Sequence, residues 1–280
     1  MLVLLVPFLI LSCVTGGTRP PGQKEGSELN GELGTDETRN RPEKIEINGA
    51  IDFRDPAFRH LLDTSPVNGK PVFFAAVTRL YDREEEYVFG KRLLARQAAI
   101  FRGALVNAKT LTLSTAQYEG ALEDVEVEFD RDRIESLQNN IEVVEYYEDN
   151  RGSYLKGVWK GVRLPDFQVP RGMENDAPDW FIRMPDYKGY AVSVGVSQRQ
   201  MFFAESILES EKQTLANMAR QFNVDIEKQR DDLEIEGLGT AYKQKNMEIV
   251  NVSFRGFYIL DRRISADGNT FFTLAVAPVK

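Results

Sequence analysis

The sequence predicts an α+β fold of two tandem modules, each a long helix packed on a small, mostly antiparallel sheet in the order β-α-β-(α)-β-β. Three observations favour it: two β-like runs each lead into an amphipathic helix, the same order of elements recurs in the second half, and each half closes with a hairpin signal. Of 280 residues, 42% are hydrophobic and 28% charged, which is typical of globular proteins.

The chain opens with an unbroken apolar run, residues 1–11, too short to span a bilayer, which takes about 20 residues. Its length is that of a signal-peptide core, so residues 1–12 are predicted to be a signal peptide. The run ends in Ile10-Leu11-Ser12-Cys13, which resembles a bacterial lipobox. That resemblance implies cleavage before Cys13 and a diacylglyceryl anchor on its thiol. An ordinary signal peptide with a nearby cysteine is the alternative.

Residues 13–43 are predicted to be a lipidated flexible tether, because after the cysteine they are rich in Gly, Pro, Glu, Asn and Thr and contain no aromatic residue. Such a segment cannot bury enough apolar surface to offset the entropy of ordering it. Residues 44–69 regain apolar side chains, and we expect them to pack as an N-terminal arm on the folded part.

The first module is assigned to residues 70–163. It opens with the β-like run Val72–Thr78, and a helix is predicted from about 83 to 104. A strand over 105–117 and a less regular stretch follow. The module closes with a hairpin whose strands are 141–147 and 153–161, around an Asp-Asn-Arg-Gly turn.

The second module is assigned to residues 190–280 and repeats this order. A β-like run over 190–196 leads into a helix from about 198, then a strand over 222–231. The closing hairpin is predicted over 250–277, around the turn Ala266-Asp-Gly-Asn269. Residues 164–189 between the modules are a proline-rich linker and lead-in, in which Trp180 and Phe181 are expected to be anchored.

The second module carries a set of structural motifs: Pro178-Asp-Trp180, Pro185, Tyr190-Ala-Val-Ser-Val-Gly-Val196, and a helix ending Leu215-Ala-Asn-Met-Ala219 before Phe222-Asn-Val-Asp-Ile226. This pattern resembles the Lpp-twenty family of bacterial outer-membrane lipoproteins and the related N-terminal domain of the flagellar-ring assembly protein. The resemblance covers about a third of the chain; the first module matches only in element order. It implies export, lipid anchoring and a role in envelope assembly, and it transfers no catalytic residue.

Composition excludes several classes of function. The net charge of −8 argues against a nucleic-acid binder, whose affinity comes mostly from Lys and Arg neutralising phosphates. One cysteine and one histidine allow neither an intramolecular disulfide nor a Cys/His zinc site, which needs three or four ligands. No cofactor is expected.

Candidate catalytic groups are isolated. The single histidine, His60, lies outside any motif. The densest carboxylate clusters are Glu84–Glu86, Asp130 with Asp132, and Asp231–Asp232; each lies beside Arg or Lys, as in a solvated face. Gly237-Leu-Gly239 is interpreted as a turn rather than a nucleotide fingerprint, and Glu211, near the apolar stripe of its helix, is expected to form a structural ion pair.

The hairpin aromatics are better candidates for partner binding. We select Tyr147, Trp159, Tyr258 and Phe272, because strand alternation sends half of such residues outward and because Tyr and Trp are enriched at interface hot spots. Packing within the sheet is the alternative for each of them. Exposed second faces and edges of the sheets are expected to suit protein contacts.

The predicted function is that of a non-enzymatic lipoprotein of the bacterial envelope. It would be held on the outer membrane by lipid on Cys13, palmitate among its acyl chains, facing the periplasm. It would bind envelope proteins in assembling a surface or flagellar structure. One alternative is a peptidoglycan binder or regulator of wall synthesis. Another is a periplasmic hydrolase, which would need two carboxylates about 5 to 9 Å apart in a pocket.

Overall fold

Two long helices and three main sheets build the folded part of the chain in the computed structural model, which describes residues 41–115, 118–222, 227–233 and 243–279. The described helices are α1 (Pro56–Arg59), α2 (Arg83–Arg102), α3 (Ile134–Gln138), α4 (Asp179–Ile182) and α5 (Phe203–Phe222). None of these helices is both long enough and apolar enough to cross a membrane. The α+β class predicted from the sequence is confirmed.

The described strands are all short to medium in length. They are β1 (Lys44–Glu46), β2 (Val72–Thr78), β3 (Ala104–Thr115), β4 (Tyr118–Phe129), β5 (Ile141–Glu148), β6 (Gly152–Trp159), β7 (Met173–Glu174), β8 (Ala177–Pro178), β9 (Tyr190–Gln198), β10 (Glu227–Leu233), β11 (Lys243–Phe254), β12 (Tyr258–Ile264) and β13 (Thr270–Pro278).

The first sheet has the order β1-β5-β6-β2. The pairs β5–β6 and β6–β2 are antiparallel, whereas β1 adds parallel to β5. Helix α2 follows β2 after Asp82, whose carboxylate accepts the N–H of Glu84 at 2.8 Å. Acidic residues fill the first turn of α2, where they complement the helix dipole. The helix then packs on one face of the sheet.

The second sheet has the order β12-β13-β9, with both pairs antiparallel. Helix α5 packs on it, and its small residues Ser210 and Thr214 face Gly195 of β9. The Ser193 hydroxyl donates to the carbonyl of Thr214 at 2.9 Å, which fixes the helix close to the strand. The hairpin β12–β13 turns through Gly268, whose φ is 78°.

The third sheet was not expected from the sequence. Its order is β10-β11-β3-β4, and the antiparallel pair β11–β3 joins a hairpin from each half of the chain. The segment after β3, predicted to be irregular, is therefore the strand β4. Residues 250–254, predicted to belong to the closing hairpin, instead end β11, so that hairpin is formed by β12 and β13 alone.

Two element bounds also differ. Helix α5 begins at Phe203 rather than near residue 198, because β9 continues to Gln198. The same helix runs on to Phe222, so the strand predicted from that residue starts later, with β10 at Glu227.

One hydrophobic core serves both halves, since Leu94 and Trp159 share a cluster with Tyr258 and Leu274. A second cluster joins α5 to β3 and β11, and a third joins Ile51–Leu62 to β2, β6 and α5. The described residues form one compact unit. The expectation of exposed second faces is wrong for the first sheet, because this third cluster covers the face opposite α2.

The linker is anchored where the sequence indicated. Trp180 in α4 is fully buried, and its Nε1–H donates to the Asp261 carboxylate at 3.0 Å. The ring of Phe181 packs edge-on against Phe272, with centroids 5.1 Å apart.

Candidate functional site: a groove along the free edge of β2

Strand β2 is an edge strand, and its backbone groups divide into two sets. Pro71 and Arg79, which flank the strand, bond toward β6: the Pro71 carbonyl accepts from Trp159 at 2.9 Å, and the Arg79 N–H donates to Arg151 at 2.7 Å. The odd-numbered residues of the strand, including Ala75, therefore bond to β6. The even-numbered residues turn their N–H and C=O groups away from the sheet.

Side chains already occupy the start of this outward edge. The Tyr258 hydroxyl accepts the Val72 N–H at 2.8 Å and lies 3.1 Å from the Val72 carbonyl oxygen. The Gln97 amide donates to the Phe74 carbonyl at 2.6 Å. Farther along, the outward N–H and C=O groups of Ala76 and Thr78 have no hydrogen-bond partner within the described part of the chain.

A groove of about 460 Å³ runs along this edge; we call it the edge groove. All six consecutive residues 73–78 line it, so the groove faces the edge of β2 and neither face alone. Helix α2 packs on the face of Phe73 and Ala75, whereas Ile207 of α5 packs on the face of Phe74. The two helices are thus the walls of the edge groove, and β2 is its floor. Its volume lies in the range of small-molecule and peptide-sized sites, roughly 300–1,000 Å³.

Each wall helix presents to the edge groove a stripe of three apolar residues and one charged residue, at the spacing i, i+4, i+7, i+11. On α2 the stripe is Phe89, Leu93, Arg96 and Ile100; on α5 it is Ala204, Leu208, Glu211 and Leu215. Leu93, Ile100 and Leu208 are half-buried, and Phe89 is 45% exposed. On α2 this stripe lies beside the one that packs in the core, whereas on α5 Leu215 belongs both to the stripe and to the second hydrophobic cluster.

Charges are distributed unevenly along the edge groove. Arg151 lies beside the end of β2, because its carbonyl accepts the Arg79 N–H, and its guanidinium is 5.1 Å from the ring centroid of Phe203. This contact places the start of α5 near Thr78. Glu205 therefore lies at that end. Lys212 lies two helical turns farther on, roughly 10 Å along the axis. Neither has an ion-pair partner in the described ranges, and Arg96 adds a second cation, 5.7 Å from the ring centroid of Phe129.

Glu211 has a different role from these free charges. Its carboxylate bonds Arg262, with Oε1 2.7 Å from Nε, and the Arg262 guanidinium is almost completely buried over the ring of Phe74. The structural ion pair predicted for Glu211 is therefore confirmed. It holds α5 against the sheets beneath the edge groove.

A second cavity, of about 280 Å³, is lined by three arginines, but each is already bonded within the fold. Arg54 pairs with Asp52, Arg59 donates to the carbonyl of Arg54, and Arg263 pairs with Asp261. Burial raises the pKa of the Asp261 carboxyl to about 6, despite the opposing effect of the Arg263 guanidinium. Because all three guanidinium groups are bonded within the fold, we treat this cavity as structural.

The aromatic residues predicted to bind a partner are mostly core. Trp159, Tyr258 and Phe272 are 0%, 1% and 5% exposed, so the expectation of an outward aromatic face is wrong for these three. The cause is that both faces of the sheets are covered. Tyr147 is half-buried and packs against Phe58 and His60, with ring centroids 6.1 and 6.3 Å away.

The residues weighed for catalysis lie apart from the edge groove. The His60 imidazole Nε2 is 2.6 Å from the Glu145 carboxylate on the surface of the first sheet. Asp130 pairs with Arg133, as a solvated face would. Glu86 departs from the predicted solvated cluster: it is fully buried and accepts bonds from Arg83 and from the Ser153 hydroxyl, both at 2.5 Å.

The remaining predictions from the sequence concern metal binding, a carboxylate cluster, Cys13 and the segment Gly237-Leu-Gly239. No group of three or more His, Cys, Asp or Glu residues within the described ranges could hold a metal ion. Asp231 and Asp232 lie in β10, opposite Lys245 and Gln244 of β11. Cys13 and Gly237-Leu-Gly239 lie outside the described residues.

The sequence did contain a signal for the edge groove. Phe89, Leu93 and Ile100 follow the helical period of α2 but fall outside the positions Leu94, Ala95 and Ala98 that pack in the core. A second apolar stripe on one helix indicates a second apolar contact. The edge status of β2 carries no such signal, because it depends on how distant strands pair.

Comparison with models of protein families, with curated proteins and with solved structures yields no match. The resemblance to the Lpp-twenty family therefore stays a prediction.

Proposed function

We propose that this protein is a lipid-anchored, non-catalytic module of the bacterial envelope that binds a protein partner in its edge groove. The observation that carries the proposal is that an open strand edge lies between two largely apolar helix walls. Apolar surface that stays open in a folded chain is characteristic of binding sites. The groove lies between helices whose other stripes pack in the core, so the two walls are held rigidly.

Two neighbouring residues on α2 allow a matched test. Phe89 lines the edge groove, whereas Val88 does not, and the two side chains are similarly exposed, at 45% and 41%. We expect Phe89→Glu to weaken binding of an envelope partner by tenfold or more, because it places a carboxylate in an apolar groove. Val88→Glu adds the same charge one residue away and should leave binding unchanged.

The measurement is cross-linking of the intact protein in the envelope fraction, followed by mass spectrometry of the partner and titration of the purified pair. Circular dichroism should be the same for both variants and the wild type. Equal binding by Phe89→Glu and wild type would refute the edge groove as the binding site.

The anchoring part of the proposal rests on the sequence Ile10-Leu11-Ser12-Cys13. Several acyl chains on one cysteine hold a protein on a membrane far more firmly than a single chain, at about 0.8 kcal/mol per buried CH₂. Cys13→Ala should therefore release the protein from the membrane fraction and abolish incorporation of labelled palmitate. Unchanged labelling of the Cys13→Ala protein would contradict the lipoprotein assignment.

We also propose that the two halves are copies of one module. The strand orders β5-β6-β2 and β12-β13-β9 correspond, with antiparallel pairing throughout. A long hairpin follows the helix in each half, and the register shifts once in each closing hairpin, at Val143/Glu145 and Ile259/Asp261. An experimental structure should superpose α2 on α5 and β2 on β9 in one alignment. Failure to superpose both pairs together would refute the repeat.

A further inference from the structure

The floor of the edge groove offers backbone hydrogen-bonding groups as well as apolar surface. The outward N–H and C=O groups of Ala76 and Thr78 have no partner among the residues that the structure describes. Ala76 is half-buried between the walls, where an unpaired backbone group is unfavourable. An occupant that brings its own N–H and C=O groups satisfies this edge, whereas an acyl chain does not.

The walls decide what shape such an occupant has. A helix has already used its backbone groups internally, so it leaves the edge of β2 unsatisfied. A second copy of the folded chain would bring its own β2, flanked by helices, and those helices would collide with α2 and α5. A single extended chain needs to approach only to about 4.8 Å from β2. The edge groove therefore fits one extended segment without flanking layers.

The alternation of an added strand matches the two walls. Successive side chains of an extended segment point to opposite faces of the sheet it joins. One set would meet the α2 stripe at Phe89 and Leu93, and the other would meet the α5 stripe at Leu208 and Leu215. Because both walls are mostly apolar, the segment is apolar at successive positions rather than at every second one.

The charges of the edge groove add complementarity along its length. Glu205 lies near the Thr78 end, and Lys212 and Arg96 lie toward the Phe74 end. A bound segment with a basic residue at the Thr78 end and an acidic residue at the Phe74 end would have an opposite charge beside it at both ends. Such pairs at the rim of a groove act mainly on partner choice and on association rate.

We propose that the partner binds by β-strand addition: an extended apolar segment of another protein, with oppositely charged ends, pairs with the free edge of β2 between α2 and α5. This inference rests on the function proposed above. The segment takes over the outward groups of Ala76 and Thr78, and Gln97 is released from Phe74 if pairing extends that far.

Linear peptides from a phage-displayed random library, selected on the purified full chain, supply the probe. The best peptide is then synthesised with a single N-methyl group at each backbone nitrogen in turn. Strand addition predicts a period of two: N-methylation weakens binding about tenfold wherever the N–H faces β2, and has little effect at the positions between. The expected peptides carry apolar residues between a basic and an acidic end.

Ala76→Pro tests the same bond from the protein side. Proline there removes an outward N–H and leaves the β2–β6 ladder intact, since proline is tolerated at such edge positions. It should weaken peptide binding about tenfold, whereas the matched variant Ala76→Ser should not. If circular dichroism shows that Ala76→Pro does not fold, the N-methyl scan alone decides the question.

The outcomes separate the two proposals. Strand addition is overturned if N-methylation has the same effect at every position, or if its effect repeats every three to four residues. It is also overturned if no peptide is selected and sodium palmitate binds in the groove. If Phe89→Glu still abolishes peptide binding while the scan is flat, the groove binds polypeptide in another form and only the strand is refuted. If Phe89→Glu has no effect on the selected peptides, the proposed function fails as well.

Discussion

Helix α5 approaches β9 closely at Gly195, which makes Gly195→Ala a sharp test of the packing. A Cβ at this position would lie 2.3 Å from the Ser210 carbonyl oxygen and 2.3 Å from the Thr214 backbone nitrogen. Ordinary contacts of a Cβ begin at 3.4 Å. Because both obstacles are backbone atoms, no side-chain rotation relieves the clash, and the helix has to retreat by about 1 Å.

The size of the effect follows from what the helix contributes. Overpacking a well-packed site typically destabilises by about 1–3 kcal/mol. A retreat of α5 also stretches two bonds to it, from Ser193 to Thr214 at 2.9 Å and between Ser210 and Thr273 at 2.7 Å. Each is worth about 1 kcal/mol. We therefore expect Gly195→Ala to lower the free energy of unfolding by about 4 kcal/mol, and the thermal midpoint by roughly 8–16 °C.

Urea unfolding followed by circular dichroism measures the effect. The matched control is Gly103→Ala at the end of α2, where a Cβ would meet only the Arg255 side chain, at 3.7 Å. Its backbone is extended, so alanine adopts it without strain, and the free energy of unfolding should change by less than about 0.5 kcal/mol. A Gly195→Ala protein as stable as the control would refute the close packing of α5 on β9.

Two further variants test buried charges. Glu86→Ala leaves the Arg83 guanidinium, the Ser153 hydroxyl and the Leu80 N–H without their shared acceptor. The free energy of unfolding should therefore fall by about 3–5 kcal/mol. The matched change at an exposed position, Glu85→Ala, should lower it by less than about 0.5 kcal/mol. The raised pKa of Asp261, about 6, means that the folded state binds its proton more tightly than the unfolded chain does. The stability contributed by protonated Asp261 is therefore fully present below about pH 4 and is lost as the pH rises through 6. Between about pH 4 and pH 7 the free energy of unfolding of the wild type should fall by up to roughly 3 kcal/mol, whereas that of Asp261→Asn should not show this fall. Parallel pH profiles of the two proteins in urea titrations would contradict this.

Local patterns in the sequence predicted the local elements well. The runs at β2 and β9, the helix α2 and the turn between β5 and β6 all follow from periodicity and turn chemistry. The Asp149 carboxylate explains that turn physically, since it accepts the N–H groups of Arg151 at 2.7 Å and Gly152 at 3.0 Å. These features depend on neighbours in sequence, which is why they could be predicted.

Non-local pairing is where the prediction was wrong. Strand β4 is rich in charged residues. Its alternating Val125, Val127 and Phe129 form a strand only because β3 lies opposite and pairs with it. The pair β3–β11 joins residues more than a hundred positions apart, and no periodicity indicates it. The choice of outward aromatics failed for the same reason: alternation gives two faces, but only the tertiary fold shows that both are covered.

The edges of the first sheet show how one chain can protect a strand and still leave it usable. An exposed edge pairs readily with other sheets and promotes aggregation. At one edge β1 covers β5. At the other, Tyr258 and Gln97 occupy the first outward groups of β2, and the two helices flank the rest. A flat sheet cannot reach Ala76 past those walls, whereas a single extended chain can. Under strand addition as proposed above, the geometry that keeps this edge from random association would also select its partner.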